Sequence, residues 1–495
     1  MKTSITSSAS PLSRRRFLGQ AAIAGSLVYP VVRHSLRAAG SANNDIRFAV
    51  IGLGNKGRGH VRDLLRQPGV RLVALCDVDP ERLAAQVAVA KEAGLTPFAN
   101  LDPRRVLERA DVDAVIIATP NHWHAVLTVW SCRAGKDVYV EKPISHTFWE
   151  GSQMVAVARE TGRIVQSGTQ YRSDEGLREA ARWIAEGHIG KPASAHVLWY
   201  EYRPGIGQVA PYTPGNLNYD LYCGPAEAEL LTRPKLHYDW HWFWSTGDGD
   251  LGNSGIHPID ACRMLAGITG LPKRGLCLGG RFAVDDSAQT PNTQLTLIDY
   301  PGLPMVIENR NLPMKAGVRA MDQHRGIREG FILDCEGGSF AGLRGGGWIY
   351  DRDGKRVRQF VGDGGSGHLA NFVDAVRSRK TSALHAPVSE GHVSSVFCHL
   401  GNVSWRLGRN ASLASCREAV RGHTHAEAVI DRLAHHLKAN EVDLDGNGFV
   451  LGPWLEVASS GEGITSVSSG GSETLAHANK LARGHHREGY GFARL

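Results

Sequence analysis

The hexapeptide Gly52-Leu53-Gly54-Asn55-Lys56-Gly57 follows the apolar run Ile46–Ile51 directly and opens the helical stretch Gly57–Arg66. A G-x-G-x-x-G in that position demands a strand, a tight turn and a helix. Gly52 permits the turn, Gly54 lets backbone approach a pyrophosphate, and Gly57 lets helix and strand pack closely. Phosphate then sits at the helix N-terminus, with Asn55 beside it. A second apolar strand, Arg71–Cys76, ends at Asp77, 20 residues beyond Gly57. A carboxylate there accepts hydrogen bonds from the adenosine ribose, which implies NAD. Lys56 or Arg58 could serve a 2′-phosphate, so NADP stays open. A purely structural glycine turn is the competing reading, and the matched strand, helix and Asp77 weigh against it.

The alternation continues through helix Pro80–Ala93, strand Asp113–Ala118, helix Asn121–Ala134, and strands Asp137–Val140 and Arg163–Ser167. Short apolar strands separated by helices predict a parallel, doubly wound Rossmann sheet over residues 43–168. Beyond residue 170 the pattern changes. A helix near Asp174–Glu186 leads into the aromatic, glycine-rich stretch Trp199–Asp250, and helix His257–Ala266 follows. Segments Arg274–Val284, Gln294–Asp299, Met305–Arg310, Gly330–Cys335, Trp348–Asp351 and Arg356–Val361 predict a mostly antiparallel sheet. Helices His368–Ser378 and Val388–Leu407 are expected to close this second α+β domain, residues 169–408. Residues 409–495 read as a C-terminal extension, with Ser459–Glu473 a flexible Ser/Gly-rich tail.

The formal net charge of +7 is mostly local. Lys2, Arg14, Arg15, Arg16, Arg33 and Arg37 supply six charges with no acid before Asn43, leaving about +1 for the rest. A basic nucleic-acid surface is therefore not expected. Ser13-Arg14-Arg15-Arg16-Phe17-Leu18, the apolar run Phe17–Val32 and the small residues Ala38–Ala42 have the order of a twin-arginine export signal over residues 1–42. The twin-arginine machinery is thus an expected partner. The expected location is periplasmic, with an inner-membrane tether if the signal stays uncleaved. Eight widely spaced cysteines without C-x-x-C argue against metal clusters and dithiol chemistry. Asp443–Gly448 begins like a calcium loop, but its twelfth position is Trp454 instead of glutamate. No metal site is expected; His122 and His124, at alternate positions of a helix start, do not converge on one ion.

Three further segments stand out: Ala118-Thr119-Pro120-Asn121-His122-Trp123-His124, Glu141-Lys142-Pro143 and Gly255-Ile256-His257-Pro258-Ile259-Asp260. With the glycine loop, they resemble the glucose–fructose oxidoreductase/inositol dehydrogenase/rhizopine catabolism (Gfo/Idh/MocA) family over about residues 46–408. Asp248–Leu265 and His368–Arg379 resemble its exported, sugar-associated bacterial branch. The resemblance implies a Rossmann domain and a C-terminal domain whose open sheet often forms a homo-oligomer interface. It also implies roles. Lys142 matches the catalytic lysine, which stabilises oxyanion character as hydride leaves. His257 matches the active-site histidine, a neutral base contributing ~10²–10⁴-fold, with Asp260 orienting it or a substrate hydroxyl. Thr119, Pro120, Asn121, His124 and Glu141 fall near the cofactor. Tyr171 and Arg172 occupy substrate-contact positions, although Arg172 reads equally as a structural ion pair. The family usually carries aspartate where Asn253 stands, and asparagine cannot take a proton; Asp248 or Asp250 could substitute.

Tyr238–Trp244 is dense in aromatics, and Trp242 is a candidate sugar-binding face. A hydrophobic plug is the equal alternative. The leading expectation is hydride transfer from a sugar or cyclitol hydroxyl to NAD. Glycoside cleavage by a hydrolase or lyase, through a transient keto-sugar, is the alternative. A non-catalytic sugar- or nucleotide-binding protein ranks third.

Overall fold

The computed structural model describes residues 44–423, 425–444 and 448–492. The expected export signal lies outside the described residues, as do residues 445–447 of the calcium-loop lookalike. The fold below belongs to the compact unit that starts at Arg47.

Its first layer is a six-stranded parallel sheet of order β3-β2-β1-β4-β5-β6. The strands are β1 (Ile46–Ile51), β2 (Val70–Cys76), β3 (Phe98–Asn100), β4 (Ala114–Ile117), β5 (Asp137–Val140) and β6 (Val165–Ser167). Every residue of β4 and β5 is buried, which explains their unbroken apolar runs. Helices α1 (Asn55–Arg66), α2 (Pro80–Glu92), α3 (Pro103–Leu107), α4 (His124–Arg133) and α5 (Phe148–Thr161) alternate with the strands. Asp79 and Asp102 cap α2 and α3, each before a proline in the first turn. The reading from sequence lacked β3, α3 and α5.

The second layer is a twelve-stranded, mostly antiparallel sheet. Its order is β14-β13-β12-β11-β7-β10-β9-β8-β16-β15, with β17 paired to β8 and β18. Its strands are β7 (Pro192–Tyr200), β8 (Arg274–Gly280), β9 (Thr293–Tyr300), β10 (Leu303–Arg310), β11 (Glu329–Cys335), β12 (Gly338–Leu343), β13 (Gly346–Asp351) and β14 (Arg356–Val361). The extension adds β15 (Arg409–Ala411), β16 (Phe449–Leu451), β17 (Leu455–Val457) and β18 (Ile464–Val467). Only β7 and β10 pair in parallel among the described strands of this sheet. Helix α6 (Glu175–Ala185) opens this layer, and a long segment carrying α7 (Tyr219–Cys223) leads to α8 (Ile256–Ala266).

One face of the sheet buries Val197, Ile298, Met305, Ile307 and Phe331 against Leu177 of α6 and Ile259 and Leu265 of α8. Two corrections concern what covers the rest. Helix α9 (His368–Ser378), expected to close this domain, sets Phe372 against Phe48 and Tyr139 of the first sheet, with ring centroids 6.1 and 5.9 Å apart. Helix α10 (Val388–Arg406) does bury Val396, Phe397 and Leu400 in the second core. The other face packs Leu276, Leu278, Leu295, Leu297 and Val306 against Val429, Ile430, Leu433 and Leu437, and helices α11 (Leu413–Ala419) and α12 (Ala426–Ala439) supply that cover.

The second correction is the tail. Ser459–Glu473 is not a flexible linker: β18 pairs with β17, and α13 (Gly471–Arg483) buries Ala478 and Ala482 beside Ile464. Its serines and glycines serve turns, with Gly461 and Gly470 at positive φ. Composition alone misread a tight hairpin as a spacer.

Candidate active site

The glycine loop meets the physical requirements its sequence set. Gly52 has φ +87°, and a Cβ there would lie 2.6 Å from the Ala118 carbonyl oxygen. A Cβ at Gly57 would lie 1.8 Å from the Gly52 oxygen, so α1 can approach the loop only through glycine. Gly54 caps α1 with no side-chain hydrogen bond, leaving the helix N-terminus open to an anion. Asp77 holds the loop from below: Oδ2 accepts from the Leu53 amide at 2.6 Å, and Oδ1 accepts from the Asp79 amide at 2.9 Å.

The loop borders a cavity of about 500 Å³. Gly52, Gly54, Asn55, Lys56, Asp77 and Arg82 line one part; Thr119, Pro120, Asn121, His124, Glu141, Lys142 and Asn253 line another. These residues fit a dinucleotide, with a carboxylate at the β2 end, a glycine cradle and an uncapped helix start. The outer wall comes from Lys235, Leu236, His237, Tyr238, Trp240 and His241, in the segment between α7 and α8. His237 Nε2 lies 2.8 Å from Asp79 Oδ2, fastening that segment to the first layer. Tyr238, Trp240 and His241 belong to the aromatic run noted in the sequence, whereas no sequence signal marked Lys235, Leu236 and His237.

Lys142 follows the end of β5 by two residues, ahead of a cis bond to Pro143. Its Nζ donates to the backbone oxygen of Asn253 and, at 3.2 Å, to the Asn253 side-chain oxygen. A π-helical turn, Leu251–Gly255, carries Asn253 to it, a distortion that recurs at functional sites. Burial pulls the Lys142 ammonium down to about 8, Lys56 and Arg203 push the same way, and Glu141 and Asp250 oppose them. Glu141 is itself held below the usual carboxylate range despite its burial, by Lys56 at 3.6 Å and His60 at 2.7 Å.

Two aspartates stand behind Asn253. Asp250 accepts from Arg203 Nε at 2.8 Å and faces Asn253 Nδ2 at 3.4 Å. Asp248 accepts from Asn121 Nδ2 at 2.8 Å, and burial raises its carboxyl to about 6. Asp248 thus touches a cavity-lining residue without lining the cavity itself.

Several expected site residues sit elsewhere. His257 is buried with its ring 5.0 Å from Tyr171, and its Nδ1 has no hydrogen-bond partner among the described residues. Burial, then Lys142 and Lys56, keep it neutral. Neither ring lines the cavity. Asp260 turns from His257 into an ion-pair cluster, accepting from Arg172 Nε at 2.9 Å and from Ser394 Oγ at 2.6 Å. Arg172 also pairs with Glu390 at 2.9 Å, which is the structural role left open for it above. Trp242 is buried behind the wall, under the Arg203 guanidinium at 5.1 Å; of the aromatic run it is Trp240 that lines the cavity, together with Trp123 from the first layer. Both nitrogens of His124 face backbone oxygens, of Pro143 at 2.7 Å and of Thr119 at 2.9 Å.

Comparison with known proteins agrees with this architecture. The profile of the oxidoreductase family with an NAD-binding Rossmann fold, Gfo/Idh/MocA, matches residues 46–169. The scyllo-inositol 2-dehydrogenase (NAD(+)) of Bacillus subtilis is 38% identical over 150 residues, 30% of this chain and 43% of that protein. The 1,5-anhydro-D-fructose reductase of Ensifer adhaerens is 33% identical over 202 residues, 38% of this chain and 60% of that protein. The chain therefore spans about half the length of the curated relatives it matches. The crystal structure of the WlbA dehydrogenase of Bordetella pertussis, in complex with NADH and UDP-GlcNAcA, superposes with a TM-score of 0.52 at 18% identity. That match covers 71% of this chain and 94% of WlbA, and it shows the fold. Over residues 46–169 the chain is thus similar to the Gfo/Idh/MocA oxidoreductases, and its six-stranded parallel sheet has the Rossmann form that this profile describes.

Proposed function

We propose that the protein oxidises a hydroxyl-bearing carbon of a sugar or cyclitol with NAD bound along the glycine loop. The observation that carries this reading is Lys142, whose ammonium lies in the loop's own cavity at the carboxyl end of β5, where open parallel sheets take their ligands. NAD supplies the hydride acceptor. Asp77 would hold the ribose end and the start of α1 would face the diphosphate, while Lys142 would donate to the substrate oxygen as the hydroxyl proton leaves to solvent and the oxygen gains negative charge. Dehydrogenase and reductase activities on inositols and anhydrofructose belong to the relatives, and their partial match supports the substrate class.

A second reading is NAD-dependent glycoside cleavage through a transient keto-sugar. It draws on Asn253, which cannot accept a proton, and on a partial match to a glycosyl hydrolase family 109 protein of Shewanella pealeana, 33% identical over 137 residues. Export by the twin-arginine route, with cofactor already bound, belongs to the same proposal and rests on residues 13–42. Incubation of NAD-loaded protein with a panel of cyclitols, aldohexoses and glycosides, followed by NADH absorbance and released sugar, tests both readings. Net NADH supports oxidation, sugar release without NADH supports cleavage, and neither signal refutes the proposal.

A further inference from the structure

Three histidines line the cavity, and two are engaged. Both nitrogens of His124 face backbone oxygens, and His237 Nε2 pairs with Asp79. The third, His241, stacks on the Trp240 indole with centroids 3.6 Å apart and planes 19° apart. Its Nδ1 lies 2.6 Å from the Tyr238 backbone oxygen. A carbonyl only accepts, so Nδ1 carries the proton and Nε2 carries the lone pair. Nε2 has no hydrogen-bond partner among the described residues and is not sealed in the core. Burial, then the Lys142 and Arg203 cations, pull the ring down to about 3, so it stays an acceptor throughout the ordinary pH range. The segment is held rigidly: Thr246 Oγ1 donates to the Trp240 oxygen at 2.8 Å, and a Cβ at Gly247 would meet the His241 oxygen at 2.6 Å.

From this geometry we infer that His241 Nε2 accepts a hydrogen bond from a substrate hydroxyl beside Lys142, while the Trp240 face packs on the ring's C–H surface. The inference rests on the oxidoreductase reading and narrows its substrate. A fixed lone pair rewards an O–H donor and repels a carboxylate at the same place, so the wall selects a neutral hydroxylated ring over an acid such as a uronate. His241 binds; the proton and hydride steps do not pass through it.

The test has two arms. In the first, diethyl pyrocarbonate treatment and peptide mass spectrometry should show His241 carbethoxylated and His124 spared, with protection by a saturating member of the cyclitol and hexose panel. An unmodified His241, or modification that no polyol blocks, overturns the inference even if the protein turns over none of the panel. That last outcome alone would refute the oxidoreductase reading. In the second arm, His241→Phe keeps the stack on Trp240 and removes the lone pair. It should lower kcat/KM on the best neutral substrate by about 10–100-fold, chiefly through KM, with NAD affinity unchanged. The analogue lacking the contacted hydroxyl should lose no more in the variant than it already loses in the wild type. Wild-type kcat/KM in His241→Phe, or an equal further loss with every deoxy analogue, overturns the assignment.

Discussion

Replacing Asn253 with Asp places a carboxylate where an amide oxygen now accepts from Lys142 at 3.2 Å. At an effective dielectric constant of about 20, a unit pair at that distance attracts by ~5 kcal/mol. Asp250 bears on the ionisation of the new carboxylate itself: its Oδ1 lies 3.4 Å from Asn253 Nδ2, and the same arithmetic gives a repulsion of ~5 kcal/mol between the two acids. Arg203, 2.8 Å from the far oxygen of Asp250, offsets much of that repulsion. The net effect should raise Lys142 from about 8 by about one to two pH units, ~1.4–2.7 kcal/mol in favour of the ammonium. If the ammonium is the donor to the reacting oxygen, the rate is full below the Lys142 pKa and falls above it. The assay is single-turnover NADH absorbance across neutral to strongly alkaline pH, on the best polyol of the panel. Asn253→Asp should move the alkaline limb upward by that amount and increase net NADH. An unmoved limb, or one shifted to lower pH, refutes the assignment of Lys142 as the charged donor. Sugar release still without net NADH favours redox-neutral cleavage.

Lys142→Ala should lower the rate by about 10²–10³, ~2.7–4 kcal/mol of transition-state stabilisation, while calorimetry shows NAD binding retained. For Asp248, the folded carboxyl is raised from 3.8 to about 6, so the folded state binds the extra proton and stability falls as pH rises between those values. Asp248→Asn should remove about 2–3 kcal/mol of that pH dependence, read as the difference between wild-type and variant denaturant titrations at pH 4 and pH 7. Arg14→Lys with Arg15→Lys should leave the protein in the cytoplasm, and undiminished recovery outside it in fractionated cells refutes the export proposal.

Local signals carried much of the architecture. β5 and β14 have the bounds their runs announce, as does α9, because apolar runs and Gly or Asp stops act within a few residues. α5 escaped although Thr147 accepts from the Glu150 amide, a capping pattern that four consecutive residues display. β7 escaped because Pro192-Ala193-Ser194-Ala195 has little apolar contrast and gains its burial only between β10 and β11. The same division holds in the site. The glycine loop, Asp77 and Lys142 are placed by neighbours in sequence. Whether Trp240 or Trp242 faces the ligand depends on a segment that leaves the second layer and docks at Asp79. Asp260 reads as a helper of His257 from spacing alone, yet Arg172 and Ser394, both far away in sequence, claim its oxygens.

The wall segment, the outer bank of the cavity, is also held twice. Arg487 donates to the Asp220 and Gly224 oxygens at 2.8 and 3.0 Å, Tyr490 donates to the Asp220 carboxylate at 2.8 Å, and Trp130 donates to the Gly491 oxygen at 3.1 Å. Trp130 and Gly491 are 361 positions apart. Trp123 and Asp79 hold the same segment from the first layer, through the Leu221 oxygen at 3.1 Å and His237 at 2.8 Å, so residues 487–491 add a second clamp, from the far end of the sequence, to a bank already fastened from within.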